Sequence, residues 1–592
     1  MSVFFNGQLL VTPQTASAVN DDAMLNRNLS VTNSAAFVGE CTGGKPLTVL
    51  SFGNPDDARR VLGEGDLCDA VVKAFAPSSE TGAAGTVYAV RVNKAFQAFT
   101  ELAVEPGHLN DTGVFGVISG NTWSREDLKI QVEVEQGTQT DYRTLTISGV
   151  EGGIPWSKTA VDINASRVHL NVLEDDCTFV VTNSATEFLH IQLDNSAPDG
   201  QVMSIPVGAY NTLGELEAFL LTLTNKAGKP VYTMAFDDDE DRHLSVKTLD
   251  RKAYTTKNTY SVNMTMYQVE KWFKDNVPQV TFTRGSADPM TFWKGPKVTA
   301  TTYLTAKPAQ APDVNDWNTA FELLQHQDIQ WVTPLSDNDE YHAIATAHVQ
   351  FCSNYLKRER RTIIGMGTGV SDADAITYAS KLNSDRVSLV HLGHYNYDST
   401  GKLALRPAYM TAALISAAFA GVNPGTPLTN KSLAVMGWER NLLNPTDTDK
   451  LLLGGVLPVE KTETGYKVVQ SISTWRVDSK YNKREQSCGV AVDFAVRNVR
   501  QAVDPLRGQK QTPILLSRAV SITKGTLTEL SRPEPQGPAV LVGDENSPAF
   551  RNVTATIEGD VLRIQFEASP AIPNNYILVT MYAVPYSGSA TA

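Results

Sequence analysis

The chain has 592 residues with 64 acidic against 51 basic side chains, a formal net charge of −13; 42% of residues are hydrophobic and 19% charged. That length calls for several domains, because a single hydrophobic core stops growing well before this size. The composition is that of ordinary globular material, and the acidic surplus argues against a protein that wraps nucleic acid, since neutralising phosphates needs excess Lys and Arg.

Met1 to Val11 lacks a basic segment followed by an apolar run, and no window approaches about 18 uninterrupted apolar residues. Neither a signal peptide nor a membrane span is expected, and the chain is expected to be made and kept in a cytoplasm. Cys41, Cys68, Cys177, Cys352 and Cys488 lie far apart with no paired spacing. That is neither a zinc pattern nor a disulfide framework, so they are expected as buried free thiols.

In chain order, Ser2 to Val11 (SVFFNGQLLV) places two apolar clusters about a turn-like Asn6-Gly7, and a polar leash, Thr12 to Arg27, follows. Ala35 to Gly39 and Leu47 to Phe52 read as strands, and Asn54 as the cap of a helix through Val61 with Asp56 and Asp57 in its first turn. Leu67 to Phe75 reads as a second helix and Thr86 to Val92 as a strand on which Arg91 is a structural arginine. From Phe96 to Trp293 short alternating runs such as Leu128 to Val134, Arg167 to Val172 and Phe188 to Leu193 stand between Gly, Asn and Asp clusters. This texture predicts β-rich domains, with helices at Leu213 to Leu223, capped by Thr212, and at Met266 to Lys274. The acidic run Asp237 to Asp241 lacks the alternating ligands and central Gly of a calcium loop and reads as a solvated hairpin tip.

Residues 313 to 430 alternate helices with short β-rich runs: helices at Asp313 to Gln325, Asp339 to Tyr355 and Ser371 to Leu382, strands at Ile329 to Pro334, Arg361 to Gly365 and Arg386 to Leu392. This implies a parallel sheet with crossovers. Gly365-Met-Gly-Thr-Gly after a strand is similar to a dinucleotide fingerprint, but its third glycine falls one residue early, and the next strand does not end in an acidic residue. His391 and His394, with His342 and His348 elsewhere, have the chemistry of metal ligands, but an H-x-x-H pair at a strand end without a nearby carboxylate in sequence is expected as two partly exposed structural histidines. No nucleophile turn pairs with a plausible His and Asp order, so neither a catalytic set, a cofactor nor a metal is expected.

Met410 to Ala420 is apolar on nearly every face between Pro407 and Gly421 with Pro424, the mark of a buried helix. An acid-rich turn at Asp447 to Lys450 leads into LLLGGVLPVEK, then a strand at Lys467 to Ile472 and the Trp475 to Arg484 run before an amphipathic helix. Pro505 to Gln511 reads as a polar linker and Thr512 to Leu530 as strand-like pieces. Asn552 to Glu558 and Val561 to Glu567 form a hairpin about Gly559-Asp560, and Tyr576 to Val584 is a final strand.

The order of features from Arg406 to Val503, with the earlier Phe52-Gly53 before a helix, Gly-rich turn and strand ending Val90-Arg91-Val92, resembles contractile tail sheath proteins of long-tailed bacteriophages. The likeness covers residues 300 to 592 well, 26 to 100 fairly and 101 to 290 hardly at all. It implies an α+β multidomain fold: an α/β, subtilisin-like sheath core without protease chemistry, inserted β-rich domains, and a C-terminal α+β domain ending in an exchanged strand. The domains expected are an N-terminal arm (1–27), a first core segment (28–98), inserted domains (99–190 and 191–293) on the outside of a tube, the α/β core (294–430) and a C-terminal sheath domain (431–592).

The implied function is a structural subunit that polymerises helically around a tail tube and contracts during genome delivery. The implied partners are further copies of itself, the tail tube protein, and baseplate and tail terminator proteins, with no direct nucleic acid contact and no membrane insertion. The implied location is the virion tail, after assembly in the host cytoplasm. Intersubunit strand exchange would be carried by Val3, Phe5, Leu9 and Val11 at one end and by Ile577, Val579, Met581 and Val584 at the other. A cytoplasmic α/β enzyme with an added β domain stands as the alternative.

Overall fold

The computed structural model describes the chain except residues 1–2, 6–7, 11–32, 95–96, 106–112, 124, 152, 182–187, 193–201, 286–293, 307–309, 399–400 and 586–592. Val11 and the leash Thr12 to Arg27 therefore lie outside the described residues. Of the arm, the backbone of Val3–Phe5 pairs antiparallel with Gln8–Leu10, Val3 opposite Leu10; the Asn6-Gly7 turn expected between them lies outside the described residues.

The core is built on β1 (Ser34–Gly39), β2 (Val49–Phe52), α1 (Pro55–Leu62), α2 (Asp66–Lys73) and β3 (Thr86–Arg91), followed much later by α3 (Val314–Leu324), β4 (Trp331–Pro334), α4 (Asp339–Asn354), β5 (Arg361–Gly365), α5 (Asp372–Leu382) and β6 (Val387–Val390). These strands form one sheet in the order β6-β5-β4-β1-β3-β2. All neighbours are parallel except β2, which runs antiparallel to β3. Strands β1, β4, β5 and β6 are buried at every residue, as a parallel sheet covered on both faces requires. β4 docks beside β1, Trp331 opposite Ala35, so two distant stretches of sequence share one sheet.

Helix α6 (Ala408–Ala420) lies in the middle of this core with twelve of its residues buried. Its Tyr409 backbone passes so close to β5 that a Cβ on Gly365 would stand 2.2 Å from the Tyr409 nitrogen. Gly365 is therefore a close-packing glycine. Trp331 stacks on Phe419 of α6 with ring centroids 4.4 Å apart.

The chain leaves the core after β3 and returns before α3 through adjacent main chains. Lys94 and Gln310 exchange both backbone hydrogen bonds (3.1 and 2.8 Å), as do Phe99 and Thr305 (2.9 Å each). Beyond this neck lie two further apolar cores. One takes residues from Ala98 to Ile163 and again from Met266 to Leu304; the other takes Val168 to Met264 and is nested within it. Between them runs a polar network in which Asn263 donates to the Asn164 carbonyl (2.9 Å) and Asp250 accepts from the Thr265 amide at the start of the Thr265–Asn276 helix (2.7 Å). The helix Leu213–Thr222 starts, as expected, from the Thr212 side chain. The acidic run differs from the expected solvated tip: Asp238 begins a short 3-10 turn, and Asp241 is buried with Arg167 3.1 Å away.

The C-terminal part holds α7 (Thr446–Gly454), α8 (Gln486–Val503), α9 (Pro513–Leu530), β7 (Phe550–Glu558) and β8 (Val561–Ala568). Four sequence expectations are corrected here. Asp447 to Lys450 lies within a helix, whose first turn favours Asp447 and Asp449. The expected strand at Lys467 to Ile472 is Gly465–Val468, paired with Val459–Thr462. Residues 512–530 are one helix, because Leu515, Ala519, Thr523, Leu527 and Leu530 fall on one face and bury together, so packing overrides the β-branched composition. The linker Pro505 to Gln511 is anchored at Leu506, which buries with Leu515 and Ala519. Among the described residues no helix is long and apolar enough to cross a membrane.

Candidate functional site: the C-terminal hairpin and its extension

Strands β7 and β8 pair from Phe550 opposite Ala568 to Glu558 opposite Val561, with a bulge between Arg551 and Thr554. Gly559, at φ +62°, makes the turn with Asp560 that the sequence indicated. The apolar members of the alternation, Val553, Ala555, Leu562, Ile564 and Phe566, lie against α8 and α9. The hairpin is a sheet of two strands only, so among the described residues the outer edges of β7 and β8 have no strand partner. Such an edge presents a row of free amides and carbonyls to any further strand.

From β8 the chain is fastened back at a few points. The Ala571 amide donates to the Val540 carbonyl (2.9 Å), and Asn575 meets Thr429 (3.1 Å) and Glu485 (3.4 Å). Beyond Asn575, among the described residues, no hydrogen bond fastens the chain back. Tyr576 to Val584, expected as a strand, is not one within the chain. Ile577, Val579, Met581 and Val584 are 79 to 93% exposed together with Tyr576, Leu578 and Tyr582. Fully burying a side chain of this kind is worth about 1.5–3 kcal/mol, so seven of them represent on the order of 10–20 kcal/mol of unused burial as an upper bound.

In an extended segment, Ile577, Val579 and Met581 fall on one face and Val584 on the other with Tyr576, Leu578 and Tyr582. Both faces are thus apolar, the pattern of a strand covered on two sides. Sequence reasoning named three residues of one face and only Val584 of the other, leaving out Tyr576, Leu578 and Tyr582; the signal that marks them is the unbroken apolarity from 576 to 579. The side chains of Val3, Phe5 and Leu9, and Val11 altogether, lie outside the described residues.

The residues with chemical potential form structural networks. His391 and His394 are buried, not partly exposed. The imidazole of His391 donates through Nε2 to Asp372, 2.8 Å away, and Arg440 reaches the same carboxylate. A carboxylate therefore does stand beside His391, brought there by the crossover from α5 to β6. Burial holds the His391 pKa below its ordinary value despite Asp372. His394 is pushed down to about 3 by burial and bonds Thr411 (2.9 Å). His342 bridges Tyr378 (2.9 Å) and the Ser336 carbonyl (2.7 Å), and His348 lies 3.0 Å from Arg360. Among the described residues no three His, Cys, Asp or Glu side chains converge as metal ligands.

The glycine run after β5 is also spoken for. Glu439 accepts from the Gly369 amide (2.6 Å) and from the Gly393 amide (2.9 Å) with its two oxygens. A carboxylate of this chain thus occupies the amide of the last glycine of that run. Ser371 caps α5 by accepting from Asp374 (3.2 Å). Arg91 is buried and donates to the Thr42 and Gly44 carbonyls (3.3 and 3.0 Å) and to Asn93, a structural role as expected. All five cysteines are free and buried.

No family model matches the chain. Curated proteins do. The tail sheath protein of Bacillus phage SP01 is 26% identical over 618 residues, spanning 100% of this chain and 98% of that protein. The tail sheath protein of Staphylococcus phage Twort is 22% identical over 491 residues, 78% of this chain and 80% of that one. Among solved structures, the crystal structure of the sheath tail protein from Desulfitobacterium hafniense superposes with a TM-score of 0.51 at 12% identity, covering 95% of this chain and 96% of that one. The mixed α/β multidomain fold is therefore shared with a sheath protein structure.

Proposed function

We propose, from the premise that this chain is a homologue of phage tail sheath proteins along its whole length, that it is the repeating subunit of a contractile tail sheath. The observation that carries the reading is the alignment with a tail sheath protein from end to end, at 100% and 98% coverage. The exposed apolar extension from Tyr576 to Val584 is the physical feature that such a role explains, because a chain that functioned alone would gain by covering it.

In this reading the subunits join by strand addition. The arm strand Val3 to Val11 of one copy and the extension Tyr576 to Val584 of another share a sheet, and the free edges of β7 and β8 are the template. The division into an arm, a split subtilisin-like core, inserted β-rich domains and a C-terminal domain is part of the same proposal. The neck at Lys94 and Gln310 supports placing the insertion on the outside of the cylinder, away from a tube in its bore.

Contraction is a rearrangement of near-rigid subunits that stay tied through these strands while new interface forms. If it buried about 1,000 Å² more per subunit, half of it apolar, area bookkeeping gives on the order of 10 kcal/mol each as an upper bound. Summed over many copies this drives a tube through an envelope. The partners in this reading are the tail tube, baseplate and terminator proteins, and the location is the virion tail after assembly in the host cytoplasm. The subunit acts mechanically and has no catalytic role, consistent with the structural employment of His391, Ser371 and the glycine run.

The test is electron microscopy of the purified chain in negative stain. Long hollow cylinders are expected. A small closed oligomer with hydrolase or oxidoreductase turnover that disappears on His391→Ala or Ser371→Ala would establish the enzyme reading instead.

A further inference from the structure

The two ends of the parallel sheet differ in charge. At the carboxyl ends, β1 runs on toward β2 and β4 runs to α4, leaving between the two strand ends a crevice of about 530 Å³. Glu40 follows β1, Asp337 follows β4, Glu64 comes from the turn before α2, and Asp66, paired with Arg406, is the first residue of α2. Asp339 and Glu340, in the exposed first turn of α4, extend the negative surface. Burial, and next the Asp66 charge, raise the pKa of Glu40.

At the amino ends the charge reverses. Helix α8 is fixed there: Asp493 meets Arg361 at the first residue of β5 (2.8 Å) and Arg386 just before β6 (3.0 Å), and Arg497 meets Asp328 ahead of β4 (3.0 Å). Helix α9 packs on α8 through Leu527 and Leu530. From residue 505 to residue 528 the sequence holds Arg507, Lys510, Arg518 and Lys524 and no acidic residue, in a chain whose net charge is −13. Lys510, Arg518 and Lys524 are exposed and have no ion pair among the described residues. Exposed Ile514, Ser517, Arg518, Ser521, Lys524 and Thr528 follow at helical spacing and make one continuous open face of α9, about 21 Å long. Apart from Ile514 and the two cations, its side chains are small, which permits close approach.

We propose that this basic face of α9, with Lys510 in the turn before it, docks against the acidic carboxyl-end surface around Glu40 and Asp337 of a second copy of this chain. The occupant follows from charge complementarity and from placement, since the two surfaces sit at opposite ends of one rigid core. A contact between two different patches is head-to-tail, and repeats of it form an open helix rather than a closed dimer. It rests on the sheath reading and adds the contact that sets subunit order along the polymer. Complementary charge of this kind steers association and fixes register, and it weakens with salt.

The test uses the full chain and negative stain at about physiological ionic strength and near 1 M salt, where the screening length falls to about 3 Å. Arg518→Glu with Lys524→Glu, and separately Glu40→Lys with Asp337→Lys, are expected to leave folded chains by circular dichroism that form no cylinders. Mixing the two altered chains would pair only half the contacts, so both pairs are combined in one chain, which is expected to restore cylinders. Wild-type cylinders are expected to fall apart at high salt. Normal cylinders from either altered chain, or a folded combined variant that stays monomeric, would overturn the docking. Altered α9 that polymerises normally but no longer holds a tube protein would overturn it too, by assigning the face to another partner. A wild-type chain that forms no cylinders at any salt defeats the sheath reading itself, a result distinct from the others.

Discussion

Asp493, in the middle of α8, accepts from Arg361, the first residue of β5, through both Nη2 (2.8 Å) and Nε (3.1 Å). The carboxylate also takes Arg386 (3.0 and 3.1 Å), so one half-buried anion holds the buried Arg361 and the half-buried Arg386 and fastens the C-terminal part to the sheet. Burial alone would raise the Asp493 pKa, but the two guanidiniums hold it below the ordinary carboxylate value. Its stabilising contribution is present above the ordinary carboxylate range and is lost as pH falls through the depressed value.

Asp493→Asn leaves two guanidiniums desolvated without a counter-charge. Breaking a buried pair from one side costs about 3–5 kcal/mol. Urea unfolding at neutral pH is expected to show a loss of that size, and a loss below about 1 kcal/mol would mean that solvent reaches the cluster.

Asp250 gives pH dependence of the opposite sign. Burial pushes its pKa up from 3.8 to about 6, although the Thr265 amide donates to it. The folded state therefore holds the proton more tightly than the unfolded chain. Stability from this group is full below about pH 4, falls as pH rises to about 6, and is lower by about 3 kcal/mol above that. Asp250→Asn mimics the protonated form. It is expected to unfold at higher urea than wild type at pH 7.5 and to show little advantage at pH 4.5; an advantage independent of pH would show that Asp250 does not titrate in this window.

What the sequence disclosed and what it hid divide along physical lines. Local signals were legible: the Asn54, Thr212 and Ser371 caps each accept the amide three residues on, as their side chains dictate. The parallel sheet was legible from short apolar runs between helices. Thr512-Pro513 is an equally local start signal for α9, a capping threonine before proline, which the strand-like reading of 512–530 did not use. Long-range pairings were not legible. Asp372 beside His391, and Glu439 on the Gly369 amide, come from chain segments that only the fold brings together. The extension from Tyr576 shows the remaining limit, because alternation implies a strand but does not say that its partner lies outside the chain.

The insertion can be removed at its neck. Lys94 and Gln310 already face each other as an antiparallel pair, so replacing residues 95–309 by a short Gly/Ser turn preserves both hydrogen bonds. No apolar residue of the main core falls in that interval. The shortened chain is expected to fold and still form cylinders, narrower in negative stain. A folded product that forms none would show that the insertion contributes subunit contacts.

The extension from Tyr576 to Val584 makes the last expectation. If it is a strand completed by another subunit, its main chain must donate and accept along an edge, and its side chains must be covered on both faces. Leu578→Pro removes one ladder donor and fixes φ, which a paired strand tolerates only at its margins. Leu578 is 93% exposed, and no backbone bond of residue 578 within the chain is lost, so a change in the isolated subunit's melting temperature is not expected. Removing residues 1–20 deletes the proposed partner strand and should give the same outcome from the other side. Both variants are expected as folded single subunits by light scattering, with no cylinders at concentrations where wild type assembles. Cylinders of normal length from either one would mean that this extension and the arm are bystanders, and that subunits hold together through the faces of the core alone.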